Sequence, residues 1–150
     1  MGAGPGRCSR RAHPGPQLTR LTFISLYVRD VPAELGFYER AFGFERRHLD
    51  TKENGAYGEL ATGETIVAFA SHELVGRHLP IAFRAHEPAK RPAAFELTIE
   101  LDDLDAGIQR AVECGATIVA PPELKAWGQR LAFIRDPEGL LVGLTDRPAA

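Results

Sequence analysis

The alternation of hydrophobic and polar positions predicts a strand close to the start of the chain. Residues 21–28 are rich in β-branched and aromatic types, and Ile24, Leu26 and Val28 share one face. An aliphatic face with a two-residue period is typical of a half-buried strand, so we expect this face to be buried. The opposite face is a mixed surface of Phe23, Ser25 and Tyr27.

The spacing changes after this strand and predicts a helix. Asp30 is a suitable N-cap, and Pro32 falls in the first turn, where its missing N–H has no cost. An apolar stripe at helical spacing follows, made of Leu35, Tyr38 and Phe42. Gly43 is predicted to end the helix.

Three shorter strands and a polar connector are predicted next. The strands are Phe44–Leu49, Ala56–Ala61 and Glu64–Ala70, with glycines between them that suit tight turns. The segment Ser71–Pro92 is more polar, and we expect a partly irregular connector with a short helix near Ser71–Gly76.

The same pattern then restarts. Phe95–Leu101 alternates like the first strand, and Asp102 or Asp103 can cap a helix that runs to about Cys114 and stops at Gly115. The remaining predicted strands are Thr117–Ala120, Arg130–Arg135 and Leu140–Thr145, with an Asp136–Gly139 turn before the last. Val28 and Leu101 are 73 residues apart, and the Asp and apolar residues that follow each of them are related by the same spacing, which indicates a repeat. A half of this size buries too little surface to fold alone, so we expect two associated modules.

Composition and charge narrow the class of protein. The chain has 150 residues, 44% hydrophobic and 25% charged, with a net charge of −2, which is ordinary for a soluble globular domain. The chain lacks the surplus of basic residues that would indicate nucleic-acid binding. No apolar run approaches the roughly 20 residues that cross a bilayer. We therefore expect no nucleic-acid or membrane partner. Cys8 and Cys114 are expected to be free thiols, and we expect a cytoplasmic location.

The predicted organisation is one domain after an N-terminal extension. Residues 1–18 are rich in Gly and Pro and are expected to be disordered. Residues 19–147 form the domain, with module one at about 20–70, the connector at about 71–93 and module two at about 94–146.

Several strings of the sequence carry a family resemblance that covers the chain from about Phe23 to Thr145: Leu26–Asp30, Gly36–Glu45, Glu100–Ala106, Gly115–Thr117, Trp127–Arg130 and Asp136–Val142. Together they resemble the glyoxalase/bleomycin-resistance domain of the vicinal oxygen chelate superfamily. The resemblance implies an α+β fold of two βαβββ modules whose strands form an open, cup-shaped, partly barrel-like sheet. It also implies a ligand in the cup, and the superfamily includes metal-free proteins that bind drugs.

In that superfamily a metal is commonly held by the first and fourth strands of each module. The matching positions here are Phe23, Ala68, Glu96 and Gly143. Of these only Glu96 can donate to a cation, and a metal centre needs about three protein ligands. We therefore expect no metal cofactor, with a divalent metal as the alternative.

Other catalytic patterns are weak. His72 and His78 are six residues apart, which places them about 240° apart on a helix rather than on one face, so a solvated connector is expected. Ser25 has no nucleophile elbow around it. Glu96 is the one weak catalytic candidate, as a general base if the fold buries it.

The predicted cup is apolar and aromatic with an acidic side, which suits a small organic ligand, cationic or aromatic. The predicted ligand-binding residues are Phe23, Ser25, Ala68, Glu96, Thr98, Trp127 and Gly143. Trp127 is the sole tryptophan. It either stacks on a planar ligand or fills the core.

Three functions stay open at this point. The favoured one is a metal-free small-molecule binding protein, with antibiotic sequestration as one form of it. The alternative is a metal-dependent lyase, isomerase or dioxygenase of the same superfamily, and a purely structural dimer is the third. Because module edges in this fold are unpaired strands, we also expect a homodimer.

Overall fold

The computed structural model describes residues 19–148, so the predicted N-terminal extension and Cys8 lie outside the described residues. Module one consists of β1 (Ile24–Val28), α1 (Val31–Phe42), β2 (Glu45–Lys52), β3 (Gly55–Ala61) and β4 (Ile66–Ser71). A short helix, α2 (His72–His78), and an irregular segment over residues 79–96 follow. Module two consists of β5 (Leu97–Leu101), α3 (Leu104–Glu113), β6 (Thr117–Leu124), β7 (Arg130–Arg135) and β8 (Leu141–Asp146).

The two long helices begin in the same way, which confirms the repeat. The Asp30 side chain accepts a hydrogen bond from the Ala33 N–H at 3.0 Å, and Asp103 accepts one from Ala106 at 3.1 Å. Such caps satisfy N–H groups that have no partner within the helix. Gly43 ends α1 with a φ of 75°, a left-handed conformation that glycine adopts at little cost.

Each module has its own four-stranded sheet. The strand orders are β1-β4-β3-β2 and β5-β8-β7-β6, with the first pair of each sheet parallel and the others antiparallel. In this register Ser25 lies opposite Ala68 in module one, and Thr98 lies opposite Gly143 in module two. The strands confirm the predicted α+β architecture of two βαβββ modules.

One hydrophobic core joins the two modules. The inner faces of both sheets and the apolar faces of α1 and α3 contribute to it, with Leu35 and Phe69 from module one and Ile134 and Leu144 from module two fully buried. The helices α1 and α3 pack together, and the Arg110 Nε donates to the Ala41 carbonyl at 3.2 Å. Neither module therefore buries its apolar surface alone.

Two positions in the strands differ from the sequence prediction. Ile24 was expected to be buried but is 41% exposed, because it lies at the start of an edge strand. Strand β6 continues past the predicted end at Ala120 and includes Pro121 and Pro122. Proline is tolerated there because β6 is also an edge strand, and its pairing with β7 is irregular between Ala120 and Glu123.

The histidine-containing segment is the helix α2 rather than a fully solvated connector. Ser71 caps it, since its hydroxyl accepts from the Leu74 N–H at 3.3 Å and from the Ala56 N–H at 2.9 Å. The His72 ring is half-buried and packs edge-on against Phe83, with ring centroids 5.3 Å apart. The predicted short helix in this region is confirmed, and the expectation of solvated histidines is wrong for His72.

Arginines from both modules fix the irregular segment. The Arg135 guanidinium donates to the carbonyls of Glu87, Pro88 and Lys90. From module one, Arg29 donates to the His86 carbonyl at 2.7 Å. Within residues 19–148, no helix is long and apolar enough to span a membrane.

The packing of α1 on β3 gives a testable prediction at Gly58. A Cβ there would lie 2.5 Å from Leu35 Cδ1 and 3.2 Å from Val31 Cγ1, and both side chains are fully buried. We expect Gly58→Ala to lower the free energy of unfolding by about 1–3 kcal/mol in urea denaturation, because a packed core cannot absorb the added volume.

The matched control is Gly76→Ala in α2, where a Cβ meets nothing within 4 Å. It should leave stability unchanged or raise it by up to about 1 kcal/mol, because alanine favours a helix over glycine. Equal effects of the two substitutions would contradict the described contact between α1 and β3.

Candidate functional site

A cavity of about 480 Å³ lies between the two modules, and we call it the interface cavity. Its module-one wall is mainly apolar and consists of Ile24, Tyr38, Phe44, Leu60, Val67 and Phe69. The other wall is Glu96–Glu100, which includes most of strand β5, and two threonines of the β3–β4 turn complete it. The volume falls in the range of small-molecule sites, and no lining residue is basic.

The side chain of Glu96, one of the residues that line the cavity, lies over Gly143 of the neighbouring strand β8. The Glu96 Oε2 lies 2.6 Å from the position that a Cβ on Gly143 would occupy, and Thr98 Oγ1 lies 3.3 Å from it. The missing side chain therefore leaves the space that the Glu96 carboxylate uses. Three of the predicted ligand-binding residues, Glu96, Thr98 and Gly143, are thus brought together.

The charge of Glu96 is not compensated by a neighbouring side chain. Glu100 lies 3.6 Å from the Arg147 guanidinium, whereas Glu96 forms no salt bridge with any residue in the described part of the chain. Glu96 is also exposed, so the burial on which its role as a general base depends is not found.

The predicted residues of module one form a separate group. Ser25 and Ala68 lie side by side on β1 and β4, on the face opposite to Ile24 and Val67, which line the cavity. The Phe23 ring packs against a tyrosine of β3, Tyr57, at 6.1 Å between centroids. Phe23, Ser25 and Ala68 are therefore not part of the interface cavity.

Trp127 lies on the turn of the β6–β7 hairpin. The turn is closed by hydrogen bonds from Lys125 to the Gln129 carbonyl at 2.8 Å and from Gly128 to the Lys125 carbonyl at 3.0 Å. The indole is 64% exposed, so it does not fill the core, and it does not line the cavity. A ligand held in the interface cavity would therefore not stack on Trp127, and stacking on a ligand bound elsewhere stays a prediction.

Polar side chains on the Ser25 face of sheet one were missed from the sequence. The Tyr57 hydroxyl donates to Glu59 at 2.8 Å, and burial followed by this hydrogen bond raises the pKa of Tyr57 to about 12. Glu59 lies next to Ala68 across the sheet. The two-residue alternation of β3 would have placed both residues on the face of Ser25.

A buried carboxyl pair, Glu34 and Asp136, lies where the first turns of α1 meet the β7–β8 turn. The Glu34 side chain is 1% exposed, and neither of its oxygens receives a hydrogen bond from a donor group in residues 19–148. Asp136 accepts from the Tyr38 hydroxyl at 2.7 Å and from the N–H groups of Glu138 at 3.0 Å and Leu140 at 2.9 Å.

These surroundings determine where the proton resides. Two adjacent carboxylates cannot both be ionised without water, and Asp136 already has three donors that stabilise its charge. Burial, and next the charge of Asp136, raises the pKa of Glu34 to about 11. Burial also raises the pKa of Asp136, while its hydrogen bonds oppose this. Glu34 is therefore the protonated member of the pair.

A second carboxylate of the same turn binds the start of α1. Glu138 accepts from the backbone N–H of Arg29 at 2.9 Å and of Asp30 at 3.0 Å. The buried Glu34 was detectable from the sequence, because it lies between Val31 and Tyr38 on the apolar face of α1. Its partner was not, since Asp136 is 102 residues away.

Comparison with known proteins identifies the family. The model of the Glyoxalase/Bleomycin resistance protein/Dioxygenase superfamily matches residues 20–144. The chain belongs to this superfamily. The resemblance deduced from the sequence motifs is thereby confirmed.

Individual relatives are distant. A protein of Mycobacterium tuberculosis provisionally named a glyoxylase, CFP32, is 28% identical over 124 residues, which is 81% of this chain and 43% of that protein. The chain thus spans less than half the length of that relative. A glyoxalase-related enzyme from Fulvimarina pelagi has a TM-score of 0.72 at 16% identity, covering 87% of this chain and 90% of that structure. A glyoxalase family protein from Bacillus cereus has a TM-score of 0.71 at 19% identity, covering 92% and 100%.

The donor set of this superfamily member does not fit the metal that its family implies. Phe23, Ala68 and Gly143 have no side-chain donor, and the Glu96 carboxylate occupies the space that a donor side chain at position 143 would need. Across residues 19–148, no group of three or more His, Cys, Asp and Glu side chains is arranged to hold a metal ion. We derive no chemical step through a metal.

Metal analysis tests this conclusion. Because a single carboxylate binds divalent cations weakly, we expect purified protein to contain far less than one zinc, nickel, iron or manganese ion per chain by elemental analysis after dialysis. About one ion per chain, retained after dialysis and lost in Glu96→Gln, would contradict it.

Proposed function

We propose that this protein binds a small organic cation in the interface cavity, without a metal and without turnover. The observation that carries the proposal is the uncompensated Glu96 carboxylate beside an apolar cavity that has no basic residue in its lining. Sequestration of a cationic antibiotic is one form that such binding takes.

The chemistry of the walls supports a ligand with an apolar body and a positive group. Aromatic and aliphatic side chains of module one remove apolar surface from water, which contributes roughly 25 cal/mol per Å². Glu96 and Thr98 offer oxygen acceptors at one side. A charge-assisted hydrogen bond to a carboxylate is stronger than a neutral one, so Glu96 selects for cations.

A metal-dependent lyase, isomerase or dioxygenase is the alternative function. The names of the relatives, a glyoxylase and glyoxalase-related enzymes, favour it. The lack of donors at positions 23, 68 and 143 favours binding without turnover instead.

Benzyltrimethylammonium is a suitable probe, because its charge does not change with pH. We expect calorimetry to show binding of this cation by wild type and no binding of its uncharged analogue neopentylbenzene at the same concentration. Glu96→Gln should weaken binding of the cation by up to about fivefold, because an ion contact at an exposed carboxylate contributes roughly 0.2–1 kcal/mol.

Two variants serve as matched controls. Glu113→Gln removes an equally exposed carboxylate at the end of α3, and Trp127→Ala removes the exposed indole. Both should bind the cation like wild type. A loss of binding in Trp127→Ala together with normal binding in Glu96→Gln would place the ligand elsewhere and refute the proposal.

We also propose a homodimer formed through β1 and β5. Each of the four outer strands has a single neighbour. Of these, β2 carries exposed charges at Arg46 and Arg47, and β6 contains two prolines, features that protect an edge from pairing. Strand β1 carries neither, and β5 carries only Glu100, so both remain open to a second copy.

Light scattering tests the dimer. We expect twice the mass of one chain for wild type, and a shift toward monomer in Ser25→Lys, because an added charge on an exposed edge residue opposes strand pairing. Thr51→Lys, on the exposed edge strand β2, is the control and should remain dimeric. A wild-type monomer at all concentrations would contradict the proposal.

A further inference from the structure

The contact between module one and module two contains an ionisable pair that belongs to neither the family's metal positions nor the proposed ligand residues. Glu34 comes from α1, and Asp136 comes from the β7–β8 turn of the other module. Both are almost completely buried, at 1% and 3% exposure. Two carboxylates buried at one contact cannot both be ionised without solvent, so the pair holds a proton.

The pair is also linked to the interface cavity. Tyr38 lines the cavity, and its hydroxyl donates to Asp136 at 2.7 Å. The opposite wall of the cavity is β5, which belongs to module two like Asp136. Separation of α1 from the β7–β8 turn would therefore move one cavity wall away from the other.

We propose that the proton on the buried Glu34, beside Asp136 at the contact of the two modules, keeps the modules together, and that losing it opens the interface cavity and lowers its affinity for ligand. The part that concerns ligand rests on the proposed function, whereas the part that concerns the modules does not. Hydroxide, or any rise in pH sufficient to ionise the pair, is then a signal that releases the bound cation.

The groups around the pair oppose ionisation of Glu34. Three carboxylates surround Glu34: Asp30 at the N-cap of α1, and Asp136 and Glu138 on the β7–β8 turn. The Tyr38 hydroxyl also lies at this contact and donates to Asp136. The cations are Arg29, which contacts Glu138 and Glu87, and Arg135, which donates to carbonyl groups. Burial lowers the pKa of His86, so its imidazole is neutral at neutral pH. Apart from burial, the main influences on Glu34 are the carboxylates of Asp136, Glu138 and Asp30, all of which raise its pKa.

The direction of the pH dependence follows from these contacts. The pKa of Glu34 is raised from 4.5 to about 11, so the folded chain holds one more proton than the unfolded chain between these values. The stabilisation is complete below pH 4.5 and is lost as pH rises toward 11. One extra proton corresponds to a change in the folding constant of up to about tenfold per pH unit.

Urea denaturation of the ligand-free chain between about pH 6 and 9 tests the first part. We expect the folding constant of wild type to fall with pH by several-fold per unit more than that of Glu34→Gln, whose amide does not titrate. The control Glu113→Gln removes an exposed carboxylate and should follow wild type. Parallel pH profiles of wild type and Glu34→Gln would overturn the proposal.

Hydrogen exchange of the wild-type chain provides an independent readout should Glu34→Gln fail to fold. The N–H groups of Arg29 and Asp30 donate to Glu138 across the same contact. After correction for the intrinsic rate, their protection should decrease as pH rises, while that of core strand β8 changes less. Constant protection at residues 29 and 30 would overturn the proposal.

Calorimetry with benzyltrimethylammonium tests the second part. Its affinity for wild type should fall several-fold as the pH rises from about 9 toward 11, where Glu34 loses its proton, and that for Glu34→Gln should change less. Equal pH dependence in both would overturn the link to the cavity. Absence of binding at every pH would refute the proposed function and the ligand part of this proposal, while the denaturation and exchange results would still decide on the contact between the modules.

Discussion

The contact between the start of α1 and the β7–β8 turn is the interaction on which the rest of the structure depends. It joins two modules whose sheets share no strand pair in the described chain. Glu138 binds the two N–H groups before α1, and Asp136 accepts from the Tyr38 hydroxyl beside the buried, protonated Glu34. Removing one partner of a buried charged contact typically costs about 3–5 kcal/mol, so these groups help to fix how the modules pack around their common hydrophobic core.

The interface cavity is a consequence of that arrangement. Its apolar wall is the inner face of sheet one, near the end of α1, and its acidic wall is the edge strand of sheet two. Gly143 provides the space in which the Glu96 carboxylate lies. The same glycine offers no side-chain donor at one of the family's metal positions, so the absent donor and the placement of the Glu96 carboxylate have one cause.

Local patterns were enough to predict the fold. The caps Asp30 and Asp103 and the turn at Asp136–Gly139 are short-range features, and they lie where the sequence places them. The grouping of Glu96, Thr98 and Gly143 also followed from strand alternation and the family resemblance. The edges were predicted less well, because exposure of Ile24 and the tolerance of prolines in β6 depend on which strands lie outermost.

The carboxyl pair and the interface cavity could not be predicted from the sequence. Both depend on how module one packs against module two, which no periodicity encodes. Phe23, Ser25 and Ala68 were expected to share a site with Glu96, yet they lie on the face of sheet one that points away from the cavity residues Ile24 and Val67. The alternation of a strand shows which residues share one face of a sheet, but it does not show what that face packs against.

The account depends most directly on the claim that Glu34 carries a proton in the folded chain at neutral and mildly alkaline pH. Infrared difference spectroscopy between wild type and Glu34→Gln measures this through the C=O stretch of a protonated carboxylic acid. At about pH 8, where an unperturbed glutamate is ionised, the account predicts this band in wild type and its absence in the variant. A wild-type spectrum with only ionised carboxylate bands would contradict it.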